Sequence, residues 1–133
     1  MFLAKGEAVV RLITADEIEP LIAIERAARI VASTYRGIGG GRVHASRPSL
    51  LQVVGSPFRL GAKGATLPDE GFAGVRLTSK AAPRTMLWTL DDGVPVAMLD
   101  ESRLYRFRTG VSAAVVADHL LAGRRAGRRQ GKA

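Results

Sequence analysis

The sequence predicts an α+β domain in which a mostly antiparallel, multi-stranded sheet is flanked by an N-terminal and a C-terminal helix. Two observations lead to this prediction. Short apolar runs separated by turn signals occupy residues 48–100, and a segment with helical spacing lies on each side of them. The order of one strand, one helix, several strands and one helix is that of an α+β fold and not of a doubly wound sheet.

The N-terminal part of the chain begins with a strand and a helix. Residues 7–14, EAVVRLIT, are the strand candidate, and Thr14 with Glu17 has the form of a capping box at a helix start. Apolar residues then recur at helical spacing over residues 21–36. We expect Gly37 to end this helix, because glycine tolerates the left-handed cap conformation. The glycine-rich GIGGGR that follows lacks the Lys-Ser/Thr of a phosphate-binding loop and is interpreted as a connection.

Five strand candidates and a second helix make up the rest of the domain. The strand candidates are SLLQVVG, FRLGAKGATL, GFAGVRLTS, TMLWTL and VPVAMLD, and Asp92-Gly93 suits a hairpin turn between the last two. The second helix is predicted from Ser102, a suitable N-cap, to Leu121, and Gly123 is predicted to close it.

Length and charge divide the chain into a domain and a tail. A chain of 133 residues with 47% hydrophobic residues indicates one folded domain. The net charge of +8 is concentrated at the C-terminus, where GRRAGRRQGKA holds five basic side chains and no acid. We therefore expect an α+β domain at 1–122 and a basic, disordered tail at 123–133. Such a tail attracts polyanions weakly, and salt weakens that attraction further.

Several classes of site are excluded or not supported. The chain has no cysteine, which excludes disulfides, thiolate metal sites and thiol nucleophiles and is typical of a cytoplasmic protein. No apolar run is long enough for a membrane span, and no signal peptide is recognised. The two histidines, His44 and His119, lie far apart without a carboxylate at ligand spacing, so no metal site is predicted.

Three arginines stand in unusual contexts: Arg47 at a strand entrance, Arg76 inside a strand, and Arg108 early in the second helix. Guanidinium groups bind planar anions through two hydrogen bonds, so these arginines would suit a carboxylate or a phosphate. In the alternative interpretation, Arg76 and Arg108 lie on solvent faces or pair with Asp100 and Glu101. Spacing alone leaves both interpretations open.

The run VPVAMLDESRLYRFRTGVSAAVVADHLLA resembles the ornithine cyclodeaminase/mu-crystallin family, whose members carry G-x-P-x-A-x-x-D, a helix entrance and then R-T-A-A. LITADEIEPLIAIERAARIVASTYRG and HASRP are similar to the family's first segment and to its P-x-R strand. The resemblance covers residues 10–122 and implies a substrate-binding and dimerisation domain, a cytoplasmic homodimer, and NAD or NADP as cofactor. The family's chemistry is the NAD-dependent deamination and cyclisation of L-ornithine to proline, a lyase reaction, or related redox of amino and imino acids.

The resemblance also implies roles for individual residues. Arg47 matches the arginine that contacts the substrate carboxylate, and Arg108 matches the arginine of the R-T pair that touches both substrate and cofactor. Arg76 stands where the family has a substrate lysine, and Lys63, one strand earlier, is a candidate to replace that lysine. The implied substrate contacts are Arg47, Lys63, Arg76 and Arg108, and the implied cofactor contacts are Arg108, Thr109 and Thr85.

The sequence departs from the family in three respects. At Arg76, an arginine stays charged where a lysine can lose its proton. Gly110 stands where alanine is usual, and glycine within a helix costs about 0.5–1 kcal/mol relative to alanine. The family's Rossmann domain and its catalytic aspartate are absent, so we expect no catalytic residue here and no activity of this chain alone. The chain is then either a truncated domain or a separately encoded one whose cofactor domain is a separate chain. The alternative function is a small basic module that binds nucleic acid or another acidic partner through its tail.

Overall fold

The structure, a computed structural model, describes residues 9–80 and 82–130, with side chains described as far as Gly123. It contains three α-helices and an open, mixed, seven-stranded sheet, which confirms the predicted α+β class. The helices are α1 (Ala15–Ile18), α2 (Ile24–Gly39) and α3 (Leu104–Gln130), and the strands are β1 (Arg11–Ile13), β2 (His44–Ala45), β3 (Ser49–Gln52), β4 (Arg59–Leu67), β5 (Phe72–Thr78), β6 (Arg84–Thr89) and β7 (Pro95–Asp100).

The sheet is built mainly from consecutive antiparallel strands. Its order is β1-β7-β6-β5-β4-β2, and β3 also pairs with β4. β1 runs parallel to β7, and the other pairs in the described part of the chain are antiparallel. The predicted hairpin between β6 and β7 is confirmed: Gly93 has a φ of +68°, and Asp92 Oδ1 accepts a hydrogen bond from the Val94 amide at 3.1 Å. The meander places β4, β5 and β6 side by side, so residues that are far apart in sequence become neighbours across these strands.

The predicted capping box is present at the start of α1. The Thr14 hydroxyl accepts the Glu17 amide at 3.4 Å, and the Glu17 carboxylate accepts the Thr14 amide at 2.8 Å. The bond from the Thr14 amide, followed by the bond from Arg11, holds the pKa of Glu17 below its ordinary value. The strand predicted over residues 7–14 is observed as β1, and its first two residues lie outside the described part of the chain.

The predicted end of the first helix was wrong because the glycine there has a packing role. α2 continues past Gly37 to Gly39, and Gly37 is buried. A Cβ atom at Gly37 would lie 2.7 Å from Val43 Cγ2, which is too close for a side chain. The Gly37 carbonyl also accepts the amides of Arg42 and Val43, at 2.8 and 3.1 Å. The glycine therefore allows the returning chain to approach α2.

Both predicted ends of the second helix were also wrong. α3 begins at Leu104, and the Ser102 amide donates to Asp100 Oδ1 at 2.9 Å where an N-cap was expected. α3 continues through Gly123, so the backbone over the first part of the predicted tail is helical. Residues 131–133 of that tail lie outside the described part of the chain.

The apolar core is small within the described residues. Ile18, Ala97 and Val111, from α1, β7 and α3, are the apolar residues that are almost fully buried there. α2 and α3 pack against each other, yet large apolar side chains on both helices and on β3 stay more than half exposed: Ile24, Ile30, Leu50, Leu51, Leu120 and Leu121. Exposed apolar patches of this kind are typical of association surfaces. None of the helices, as far as they are described, has the length and hydrophobicity of a membrane span.

Candidate functional site

Three of the predicted site residues lie side by side across neighbouring strands. Lys63 of β4 is the direct partner of Arg76 in β5, and Arg76 is the direct partner of Thr85 in β6. Directly opposed residues in antiparallel strands point to the same face, with Cα atoms about 4.5–5.5 Å apart. The sheet register therefore brings together two cations and a hydroxyl that are far apart in sequence.

Arg47 adjoins this row through an irregularity between β2 and β3. The Ser46 amide donates at 2.8 Å to the carbonyl of the residue that follows Lys63, and Ser49 is the partner of the residue that precedes Lys63. Arg47 and Pro48 therefore both stand opposite Lys63, in the two-against-one arrangement of a β-bulge. Bulges of this kind commonly re-aim side chains next to sites. Arg47 is exposed at this edge of the row.

Arg76 is held by contacts from the start of α3. Its Nε atom lies 2.7 Å from Glu101 Oε2, and the two side chains are only 17% and 9% exposed. Thr85 Oγ1 donates a hydrogen bond to Glu101 Oε1, and the Arg76 guanidinium carbon lies 4.3 Å from the centroid of the Tyr105 ring. Of the two interpretations left open for Arg76, pairing with Glu101 is therefore the one observed.

Arg108 approaches the same cluster from α3. Its guanidinium carbon lies 5.7 Å from the centroid of the Tyr105 ring, and the side chain is exposed. It also lines an apolar groove of about 510 Å³ between α2 and α3. Neither Arg108, Arg47 nor Lys63 has a salt-bridge partner among the described residues. The cluster therefore holds one neutralised cation and three whose charge is not offset by a neighbouring acid.

The two threonines predicted to contact a cofactor donate their hydroxyl hydrogens within the protein. Thr85 donates to Glu101, and Thr109 Oγ1 donates to the Tyr105 carbonyl at 2.8 Å. A hydroxyl group has one hydrogen to donate, so in this arrangement neither threonine donates to a phosphate. Of the three predicted cofactor contacts, Arg108 alone is available. By themselves the described residues do not form a dinucleotide site, and the cofactor roles of Arg108, Thr85 and Thr109 stay predictions.

The histidines lie apart from the cluster. His44 is in the short strand β2, and His119 is on α3, where its Nδ1 atom lies 3.0 Å from the Val115 carbonyl. Over the residues that the structure describes, no group of three His, Asp or Glu side chains comes together in a way that would hold a metal ion.

Sequence reasoning missed Tyr105 and treated Glu101 only as an alternative partner of Arg76. A signal for both was present. Tyr105 and Arg108 have i, i+3 spacing, which places them on one face of α3, and Glu101 stands four residues before Tyr105, just ahead of the helix. The last residues of β7 continue into this helix, so that face meets the sheet where Thr85 stands, opposite Leu99.

Comparisons with known proteins agree with this architecture. No family model and no curated protein matches the chain. A solved structure described as a probable ornithine cyclodeaminase from Bordetella pertussis Tohama I matches with a TM-score of 0.68 and 26% identity, over 77% of this chain and 34% of that chain. The chain is similar to the ornithine cyclodeaminase/mu-crystallin family. This match confirms the resemblance predicted from the sequence.

Two further structures share the fold. An archaeal alanine dehydrogenase, described as a dimer with bound NAD, matches with a TM-score of 0.69 and 23% identity, over 77% of this chain and 34% of that chain. The Delta(1)-pyrroline-2-carboxylate reductase of Thermococcus litoralis, in complex with NADH and L-proline, matches with a TM-score of 0.72 and 16% identity, over 78% and 36%. The ornithine cyclodeaminase-like chain thus spans about a third of the length of each of these proteins. The three matches support a family of amino and imino acid enzymes and give no support to a nucleic-acid-binding module.

Proposed function

We propose that this chain is the substrate-binding and subunit-association part of an ornithine cyclodeaminase-like protein of amino or imino acid redox metabolism. The observation that carries the proposal is the cluster of Arg47, Lys63 and Arg108 beside the paired Arg76. Cations without neighbouring acids focus a positive potential on one face of the sheet, and such a potential attracts a small carboxylate. The finer assignments, a lyase reaction that forms proline, NAD as cofactor and a cytoplasmic location, belong to this proposal.

The chemical part proposed for these residues is binding and orientation. Lys63 acts as a point charge with three donors, whereas Arg108 offers a planar fork that suits a carboxylate. Arg108 also borders the apolar groove. A ligand there would place its carboxylate against the guanidinium and its carbon skeleton against the apolar side chains of the groove. A nicotinamide cofactor supplies hydride transfer in enzymes of this kind. By themselves the described residues do not form a site for that cofactor, so no catalytic step is assigned to them.

Subunit association is proposed from the exposed apolar side chains. Leu50 and Leu51 on β3 are 56% and 61% exposed, and Ile30 of α2 is 55% exposed. One structurally similar protein is described as a dimer. We expect analytical ultracentrifugation to find a homodimer of this chain at micromolar concentration. A monomer at all concentrations tested would contradict this part of the proposal.

Carboxylate binding is tested by titrating the purified chain with L-proline by calorimetry or NMR. Prolinamide, which lacks the carboxylate, is the ligand control and is expected not to bind. Because a hydrogen bond to a charged group contributes about 1.5–3 kcal/mol, Lys63→Gln and Arg108→Gln are each expected to weaken L-proline binding by about tenfold or more. Arg11→Gln, which removes an exposed charge from β1, should change the affinity by less than about twofold.

Two results would argue against this assignment. The first is L-proline binding that prolinamide reproduces, because the carboxylate would then have no role. The second is binding that Lys63→Gln and Arg108→Gln leave intact. Incubation of the chain alone with NAD and L-ornithine is expected to form neither L-proline nor ammonia, and formation of both would show that the chain holds a complete catalytic site. These products are measured directly because the reaction returns its hydride and accumulates no NADH.

A further inference from the structure

Arg76 differs from the other cations of the cluster because the chain supplies its counterion. The Glu101 carboxylate lies 2.7 Å from Arg76 Nε and accepts the Thr85 hydroxyl through its other oxygen. The carboxylate therefore occupies the place beside the guanidinium and the threonine hydroxyl that an incoming carboxylate would take, with an ionic contact to Nε and no directional hydrogen bond at Oε2. The Tyr105 ring covers the guanidinium, with its centroid 4.3 Å from the guanidinium carbon.

The remaining surface of Arg76 does not permit a ligand's carboxylate to bind beside that of Glu101 through two parallel hydrogen bonds. Arg76 Nε and Nη2 are both buried, and neither makes a directional hydrogen bond to any described residue. A guanidinium binds a carboxylate through two hydrogen bonds along one of two edges. One edge consists of Nε and Nη2 and the other of Nη1 and Nη2, so both require Nη2. Because Nη2 is inaccessible, neither edge is open to a ligand.

The backbone of Glu101 fixes the carboxylate in this place. The Glu101 amide donates to the Pro83 carbonyl at 3.1 Å, and the Glu101 carbonyl accepts the Tyr105 amide at 2.9 Å. The residue therefore joins the segment immediately before β6 to the first turn of α3. These bonds hold the Glu101 backbone beside Arg76, so its carboxylate competes with any ligand from within the chain.

We propose that Glu101 is a specificity-determining residue that occupies the carboxylate position of Arg76 and leaves a ligand's carboxylate to Lys63 and Arg108. This inference rests on the proposed function for its ligand class: amino or imino acids with one carboxylate. The second carboxylate of a dicarboxylate ligand finds Arg76 already paired, and it meets the negative charge of Glu101 in that place. The site therefore selects monocarboxylates over dicarboxylates.

The first test uses acetate as a probe for the position that Glu101 fills. In Glu101→Ala the buried guanidinium loses its counterion, so sodium acetate is expected to raise the melting temperature saturably, by about 3 °C or more relative to sodium chloride at equal ionic strength. Wild type and Glu70→Ala, which removes an exposed acid, are expected to show no such difference. Arg76→Ala combined with Glu101→Ala should abolish the acetate effect, because the cation that holds the acetate is gone.

Acetate has a defined outcome even if Glu101→Ala is too unstable to fold in chloride buffer. In that case the variant is expected to refold in acetate and not in chloride. Failure to fold in both, or equal stabilisation of Glu101→Ala and wild type by acetate, would overturn the proposal. This test uses no amino acid, so it decides the inference independently of the proposed function.

The second test measures selectivity with Glu101→Gln, which keeps the shape of the side chain and removes its charge. The ratio of L-glutamate affinity to L-proline affinity is expected to rise by about tenfold, since a like charge a few ångströms away is removed. Glu70→Gln, with the same change in net charge, should leave the ratio within about twofold. An unchanged ratio in Glu101→Gln would overturn the proposal. If wild type binds neither amino acid, the proposed function fails, and the acetate result alone decides the role of Glu101.

Discussion

The start of α3 forms salt bridges with the rest of the molecule on two sides, and the two differ in burial. They are called here the buried tie, Arg76 with Glu101, and the exposed tie, Arg103 with Asp16 and Glu19. On the sheet side, Arg76 and Glu101 pair with 17% and 9% of their side chains exposed. On the other side, Arg103 pairs with Asp16 at 2.9 Å and with Glu19, and its side chain is 52% exposed. Both ties join an arginine to a carboxylate from a different element. Burial separates them, because water screens the second tie and is excluded from the first.

The exposed tie has more ionic contacts than the buried tie, but we expect it to contribute less to the free energy of unfolding. Exposed pairs contribute about 0–1 kcal/mol, whereas loss of one member of a buried pair costs about 3–5 kcal/mol. The buried tie also contains Glu101, the residue proposed to set ligand selectivity. We therefore expect the Arg76–Glu101 pair to affect both the stability of the protein and its ligand selectivity, and we expect the exposed tie to affect neither strongly.

The largest effect is expected from Arg76→Met, which leaves the Glu101 carboxylate buried without its cation. We expect the free energy of unfolding to fall by about 3–5 kcal/mol in urea denaturation. Arg76→Met combined with Glu101→Met should recover most of this loss, because a buried pair replaced by apolar side chains of similar volume is often neutral. The matched control is Arg11→Met, at an exposed pair with Glu17. A loss no greater in Arg76→Met than in Arg11→Met would remove the contrast between the two ties.

The same contrast between buried and exposed positions recurs at two helix glycines. Gly37→Ala would place a Cβ atom 2.7 Å from Val43 Cγ2, so it is expected to destabilise the protein by about 1–3 kcal/mol. In Gly110→Ala the new Cβ atom meets nothing within 4 Å, so the helix preference of alanine should stabilise the protein by about 0.5–1 kcal/mol. Thermal unfolding of both variants checks the opposite signs. Equal signs would show that local packing does not decide the outcome.

The strands were predictable from sequence because local signals define them. Alternating apolar runs and turn residues fixed each strand from β3 to β7, and the Asp92-Gly93 turn set the last hairpin. Helix ends were less predictable because a glycine has two uses that look alike in sequence. Gly37 permits a close approach inside a helix, while a cap glycine ends one, and only the position of Val43 distinguishes them.

The cationic residues of the cluster could be named from the sequence, but the contacts between them and with Glu101 could not. Arg47, Arg76 and Arg108 stood out as cations in strand and helix contexts, and Lys63 was added by the resemblance to a family. Their alignment depends on strand register, which arises from pairing between distant segments. The role of Glu101 depends on where α3 meets the sheet, and this tertiary contact has no counterpart in local spacing. The resemblance to a family suggested that Arg76 contacts the substrate, whereas the structure shows its pairing with an acid from its own chain.

A smaller effect is expected from Arg103→Ala at the exposed tie. Its loss should lower the free energy of unfolding by less than about 1 kcal/mol, and added salt should reduce the difference from wild type because exposed charges are screened. Urea denaturation at low and high sodium chloride measures both quantities. The salt dependence provides the sharper comparison, since the cost of Arg76→Met is expected to be nearly independent of salt. A large, salt-insensitive cost of Arg103→Ala would place the two ties in the same class.

The smallest effect is expected at Asp100, which lies between the two ties at the end of β7. The hydrogen bond from the Ser102 amide, followed by a side-chain bond with Ser102, holds the pKa of Asp100 below its ordinary value, and Arg84 adds to this effect. A carboxylate whose pKa is lower in the folded state stabilises that state above its ordinary pKa, and the stabilisation is lost as the pH falls through the lowered value. Asp100→Asn should therefore make the melting temperature less dependent on pH between about pH 5 and pH 2, with little change in the Arg76–Glu101 pair. Asp118→Asn, at an exposed position on α3, is the matched control. If both variants keep the wild-type pH dependence, the bond from Ser102 does not link the start of α3 to acid unfolding.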